Sequence, residues 1–275
     1  MEGVSDGGRY PRWRVLVDGE RVAVDPAVPC ERCPTCRDGH RNLCPEVRFA
    51  GHGDQDGALA EFVAWPSALL HPLPDMLSDA DGALLEPLGV AVHALDLGHV
   101  RVGAAVGVVG CGPIGLLLLQ VARAAGATTV VAVDPLPHRR EAARRLGADQ
   151  VLSPGDAAEP VDVAFETAGT DDAVDAALEM ARPGARVVLV GIPDDDRTTF
   201  SASVARRKGL TLVLVRRMKD VYPRAIALVQ QGRVDLGPLV TGRYPLERVD
   251  EAFRAASSRE GLKVVVEPAV DEVLG

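Results

Sequence analysis

The feature that most constrains the fold is a strand, a glycine loop, a helix and a second strand in unbroken succession. Val106–Val109 is a short apolar run. It leads into Gly110-Cys111-Gly112-Pro113-Ile114-Gly115, a match to G-x-G-x-x-G. A helix is predicted from about Pro113 to Ala125, ended by Gly126, and a second strand over Thr129–Val133 ends in Asp134. Gly110 suits the tight turn, Gly112 lets backbone amides approach a pyrophosphate, and Gly115 lets helix and strand pack closely. Pro113 and Ile114 open the helix, and the N–H groups of its first turn, from Ile114 onward, would face the anion. The acidic residue lies 19 positions beyond the third glycine, where a ribose-binding carboxylate belongs. Asp134 would accept hydrogen bonds from the adenosine ribose and repel a 2′-phosphate, which favours NAD over NADP. Arg139 and Arg140 follow closely and are the residues that could offset this preference. A glycine turn that holds no ligand is the competing reading, and Cys111 reads as a small filler.

The alternation continues through strands at Val161–Thr167, Val187–Ile192 and Leu210–Val215. Helices are expected over Asp171–Ala181 and near Val221–Gln231. Strands alternating with helices imply right-handed crossovers and a parallel sheet covered on both faces. The cofactor then lies at the carboxyl ends of the strands, where Val190, Gly191 and Ile192 could line the nicotinamide pocket and Gly169 could permit close approach. Ordinary turn chemistry explains the same residues.

Upstream, four of the five cysteines fall at Cys30, Cys33, Cys36 and Cys44, a C-x2-C-x2-C-x7-C spacing. Four thiolates satisfy a tetrahedral zinc ion and leave no open position, as in structural sites. Pro34, Gly39 and interleaved charges suit a looped excursion held mainly by its metal. A zinc-ribbon nucleic-acid module would also use clustered cysteines, and Arg32, Arg37 and Arg41 are present. The net charge of −9 over 275 residues argues against a nucleic-acid or anionic-membrane surface. No apolar run approaches the roughly 20 residues of a membrane span, and MEGVSDGGRYPRW has no signal-peptide core. A cytoplasmic location is expected, where clustered thiols more often hold metal than form disulfides.

Taken together, the four-cysteine lobe, GALAEFVAWP, LLEPLGVAVHAL, GCGPIG, the strand ending in Asp134 and the tail YPLERVDEAFRAASSREGLKVVVEP resemble the zinc-dependent medium-chain dehydrogenases. The polyol and threonine dehydrogenase branch is the most similar, and the resemblance runs from about Gly19 to Pro268. It implies a Rossmann-type, doubly wound α/β domain joined to a GroES-like β-barrel domain that carries the zinc lobe. It divides the chain into residues 1–89 of the barrel domain, 90–238 of the NAD-binding domain and 239–275 returning to the barrel. It implies a structural zinc on Cys30, Cys33, Cys36 and Cys44, and NAD on Gly110, Gly112, Pro113, Ile114, Gly115, Asp134, Arg139 and Gly191. It further implies hydride transfer between a secondary alcohol or polyol and NAD, in a homodimer or homotetramer, with Leu210–Val215 as a sheet edge for the contact.

The resemblance also has a gap. Family members carry a catalytic zinc cysteine and a Gly-His-Glu motif ahead of the stretch that here reads Gly19-Glu20-Arg21-Val22. No cysteine or histidine precedes Cys30, so the barrel is expected to be incomplete, with open edges and an apolar cleft. Glu86 matches a family glutamate beside the catalytic metal; a helix N-terminal carboxylate is the plainer reading. His52, in Gly51-His52-Gly53, reads as a loop histidine and His93 as a packed helical one. Two functional readings therefore stand, a truncated NAD-linked dehydrogenase and a catalytically inactive NAD-binding remnant with one structural zinc. A zinc-ribbon interaction module fused to a nucleotide-binding domain is the third.

Overall fold

The computed structural model describes residues 20–60 and 62–268. Contacts divide the chain into two compact units, one formed by residues up to Glu86 together with those from Gly242 onward, the other by Pro87–Thr241.

The first unit is built from short elements. Its N-terminal part contains β1 (Val22–Val24), β2 (Ala27–Val28), a single helical turn α1 (Pro34–Arg37), β3 (Arg48–Phe49), β4 (Leu70–Pro72) and the start of α2 (Asp79–Gly98). β1 pairs antiparallel with β4, and β2 with β3. The segment GALAEFVAWP forms no strand among its described residues, and Phe62 is 89% exposed. Trp65 is better held: its indole N–H donates to Asp25 O at 2.7 Å. Pro87 lies inside α2, where it removes an N–H from the helix ladder. The division between the two units falls at that residue.

In the second unit the chain alternates as the sequence predicts. β5 (Ala105–Val109), α3 (Pro113–Ala124), β6 (Thr129–Val133), α4 (Pro137–Arg145) and β7 (Gln150–Leu152) form the first half. β8 (Val161–Glu166), α5 (Asp171–Met180), β9 (Ala181–Leu189), α6 (Ala202–Lys208), β10 (Thr211–Leu214) and α7 (Tyr222–Gln230) form the second. The six strands make one parallel sheet in the order β10-β9-β8-β5-β6-β7. Val106, Val108, Val130, Val131, Phe165, Val187 and Val188 are fully buried, as expected of strands covered on both faces. Leu116–Leu119 on α3 pack with no exposure at all. The order reverses direction at β5, and ligands of such sheets sit beyond the carboxyl ends at that switch.

One boundary needs correcting. The strand predicted at Val187–Ile192 begins earlier, at Ala181, and ends at Leu189. Arg182-Pro183-Gly184 reads as a turn in sequence, but the chain bulges there and stays in the sheet. The register jumps between Val161↔Ala181 and Val163↔Arg186, with Gly184 at φ +75°. Gly191 consequently lies in the loop after β9 and not within it.

The chain then re-enters the first unit through β11 (Val240–Pro245), α8 (Val249–Ser257) and β12 (Lys263–Glu267). β11 pairs with β12. No helix among the described residues is long and apolar enough to cross a membrane.

Candidate cofactor loop and cysteine lobe

At the carboxyl end of β5 the chain turns through Gly110, at φ +99°. Gly112 is the N-cap of α3 and supplies no side-chain cap. Pro113 stands in the first turn, where its missing N–H leaves nothing unsatisfied. The helix packs so tightly on the loop that a Cβ at Gly115 would stand 1.9 Å from Gly110 O. Asp134, ending β6, is 3% exposed. Its Oδ2 accepts from Cys111 N and its Oδ1 from Leu136 N, each at 2.8 Å. The carboxylate is therefore fixed against the glycine loop by backbone donors. Arg140 donates to the carbonyls of Asp134 and Pro135 at 2.8 Å and is engaged in the loop. Arg139 differs: its Nε is buried without a hydrogen-bond partner, and its Nη1 lies 3.8 Å from the place of a Gly112 Cβ. An uncapped helix N-terminus, a cradle a Cβ would narrow and an orphaned guanidinium nitrogen suit a dinucleotide's pyrophosphate. Cys111 is fully buried, and burial pushes its thiol up to about 12. It is a thiol at neutral pH, in keeping with a filler.

Two further residues bind the loops of this face together. Thr167 Oγ1 donates to Gly110 O at 2.6 Å and lies 3.2 Å from Val109 O. Glu166, 1% exposed, accepts from Ala168 N and Gly169 N, both at 2.6 Å on Oε1. Its own carbonyl accepts from Val190 N at 2.8 Å and Gly191 N at 3.1 Å. A Cβ on Gly191 would stand 2.2 Å from Gly169 N. The loops after β5, β8 and β9 are thus tied backbone to backbone, and Gly191 is one of the ties. Burial raises the pKa of Glu166. Sequence reading assigned both residues only to a strand; the signal was an acid and a hydroxyl ending an otherwise apolar run. Thr167→Val should destabilise the chain by about 1 kcal/mol, the net worth of one hydrogen bond. Thr167→Ser should keep wild-type stability. A thermal melt in which Val and Ser behave alike would remove the hydroxyl from this role.

The cysteine lobe is assembled separately. Cys33 caps α1, its Sγ accepting from Cys36 N at 3.4 Å. Cys30 Sγ accepts from Cys33 N at 3.4 Å and Cys44 Sγ from Cys30 N at 3.3 Å. The four sulfurs lie within 4.8 Å of one another. A tetrahedral ion at about 2.3 Å from each sulfur needs them about 3.8 Å apart, so the set fits zinc. Electrostatics point the same way. Backbone N–H groups, Arg32's first, bring the Cys30 thiol down to about 7, while burial pushes Cys36 up to about 12 and raises Cys44. A divalent cation is what would let all four ionise. Arg32 pairs with Glu46 at 2.5 Å and Arg41 with Glu31, which offsets the charge of two of the lobe's basic residues.

The other predicted residues are dispersed. Glu86 is half-buried in α2, one position before Pro87. His52 is exposed, edge-on to Phe49 with ring centroids 4.9 Å apart. His93 is buried in α2, and burial lowers its pKa. Among the described residues the four cysteines are the one group of three or more His, Cys, Asp or Glu able to share a metal ion. No step through a second metal follows from the described side chains.

Comparison with known proteins accounts for both features. Residues 113–231 match the family model described as zinc-binding dehydrogenase, and residues 6–75 that of the alcohol dehydrogenase GroES-like domain. The sorbitol dehydrogenase of Bacillus subtilis (strain 168) is 35% identical over 263 residues, covering 91% of this chain and 74% of that protein. A structure from Sinorhizobium meliloti 1021 bound to NADP superimposes with a TM-score of 0.83 at 30% identity, covering 93% of this chain and 78% of its own. An alcohol dehydrogenase from Escherichia coli CFT073 complexed with NADH gives 0.83 at 25% identity, covering 90% and 76%. With a GroES-like segment that contains a four-cysteine lobe, followed by a Rossmann-type sheet, the chain belongs to the zinc-binding dehydrogenase family, among the relatives that include the polyol dehydrogenases.

Proposed function

We propose that this chain binds NAD in preference to NADP on the loop after β5 and serves the interconversion of a polyol or other secondary alcohol with its ketone. The observation that carries this reading is the carboxylate of Asp134, held by Cys111 N beside the glycine loop, where it can accept from ribose hydroxyls and oppose a 2′-phosphate. NAD bound there would supply the hydride acceptor and donor for the carbinol carbon. The residues of the chain would bind and orient: the N-terminal turn of α3 and Arg139 the pyrophosphate, Asp134 the ribose, while Gly169 and Gly191, packed on one another, fix the loops at the nicotinamide end. The polyol class is supported by relatives named sorbitol dehydrogenase, L-idonate 5-dehydrogenase and D-xylulose reductase. The four cysteines would hold a structural zinc. β10 is the edge of the parallel sheet and Leu214 on it is 75% exposed, which supports pairing of two copies through that strand.

Asp134→Ala should weaken NADH more than NADPH, moving the affinity ratio by about tenfold, the worth of one charge-assisted hydrogen bond. Titrating both reduced cofactors by fluorescence reads this directly. Equal losses would remove Asp134 as the ribose ligand. A second reading, an NAD-binding chain with one structural zinc and no turnover, draws on the single metal-ligating group among the described residues. Sorbitol- or xylitol-dependent NAD reduction separates the two: NADH binding without reduction selects the second.

A further inference from the structure

At the opposite end of the parallel sheet from the glycine loop lies a cleft of about 490 Å³. The amino ends of β5, β8 and β9 form it, with the turn that follows α2. It is lined by His99, Arg101, Asp162, Arg182 and Arg186 among others. Asp162 is the acidic member. Its Oδ1 accepts from Arg182 Nε at 2.7 Å and its Oδ2 from Ala105 N at 2.8 Å. It neutralises one arginine, and two are left over. Neither the Arg101 nor the Arg186 guanidinium makes a hydrogen bond or ion pair with a described residue.

Arg186 is the unusual one. It sits within β9, paired on one side with Val163 of β8 and on the other with Thr211 of β10. Its neighbours Ala185, Val187 and Val188 are buried, and it is itself half-buried. Interior strands of parallel sheets are otherwise apolar, and arginine is seldom buried without a partner. The bulge at Gly184 is what places Arg182 and Arg186 on the same cleft. In a chain of net charge −9, three guanidinium groups against one carboxylate make a local excess of two positive charges.

We propose that this cleft binds a phosphate dianion, free or carried on a small molecule. Arginine is the residue suited to it, since its planar fork donates two parallel hydrogen bonds to phosphate oxygens. The excess charge matches a dianion, and the volume falls in the range of small-molecule sites. Arg101 and Arg186 are the ligands, with Arg182 held in place by Asp162.

The test is calorimetric titration of the whole chain at low ionic strength with inorganic phosphate and with glucose 6-phosphate, chloride serving as the blank. Saturable binding at one site per chain is expected. It should be weakened about tenfold in each of Arg101→Gln and Arg186→Gln, as for loss of one charge-assisted hydrogen bond. Arg207→Gln, on α6, and Arg139→Ala, at the glycine loop, should leave it unchanged. Arg101 is exposed, so its variant remains informative if Arg186→Gln fails to fold. Tighter binding of the sugar phosphate assigns the cleft to a phosphorylated small molecule; equal binding assigns it to free phosphate. Absence of saturation, a wild-type affinity in Arg101→Gln, or loss of binding in Arg139→Ala each overturns the proposal.

Discussion

Cys44→Ser protein should retain well under one zinc per chain, and its lobe should lose its structure. Cys44 is 2% exposed and its sulfur accepts from Cys30 N, so serine removes a ligand and a link across the lobe at once. The stretch from Cys30 to Cys44 has one helical turn, one 3-10 turn and little apolar packing of its own. Zinc binding in comparable small sites is worth roughly 10 kcal/mol or more of folding free energy, far above what surface ion pairs such as Arg32–Glu46 contribute, about 0–1 kcal/mol each. Elemental analysis after metal washing should fall from one zinc toward none. Amide exchange over residues 30–47 should rise to that of an unprotected chain. Full zinc content together with unchanged protection would falsify the assignment of the four cysteines. Chelator treatment of the wild-type chain should reproduce the variant's exchange pattern.

Gly115→Ala is the second large effect. Alanine is ordinarily the better helix residue by about 1 kcal/mol, so propensity alone predicts a gain. The contact predicts the reverse. The new methyl would stand 1.9 Å from Gly110 O and 2.9 Å from Thr167 Oγ1, and backbone cannot swing aside as a flexible side chain can. Overpacking of this kind costs about 1–3 kcal/mol even where side chains can yield; here the upper end or beyond is expected, with NADH affinity reduced at least tenfold as α3 is pushed from the loop. A variant with wild-type melting and wild-type affinity would show that helix and loop are not in contact in solution. Gly112→Ala makes a useful contrast, because its methyl meets only Arg139 Nη1 at 3.8 Å. It should fold normally and lose cofactor affinity alone.

Local spacing made much of this legible. The glycine loop, Asp134 and the four cysteines are each defined by residues close in sequence, and the apolar runs of β5, β6 and β8 are long enough to read. What could not be read depends on distant parts of the chain. Arg182-Pro183-Gly184 carries every mark of a turn, yet pairing with β8 draws it into β9 as a bulge. Glu166 and Thr167 look like the tail of a strand until the fold brings Gly110 and Gly191 beside them. Arg186 looks like an ordinary surface arginine until strands close on both sides of it. In the first unit, strands of two or three residues are too short to show a period of two. His52 reads as a loop ring and His93 as a packed helical one, and burial gives each its place, the first exposed and the second buried.

The division of the chain at Pro87 and again near Gly242 bears on biosynthesis. The nucleotide unit is continuous in sequence, so it can fold as soon as it clears the ribosome. The other unit is split, and its closing elements, β11, α8 and β12, are translated only afterward. Its early half is made first, with the thiols of Cys30 to Cys44 and both partners of the β1–β4 and β2–β3 pairs already present. By folding first, residues 87–241 take most of the chain between the two halves out of the flexible connection, which lowers the entropy lost on joining them. Vectorial synthesis thus favours one sequence of events: metal capture, then the sheet, then closure of the split unit.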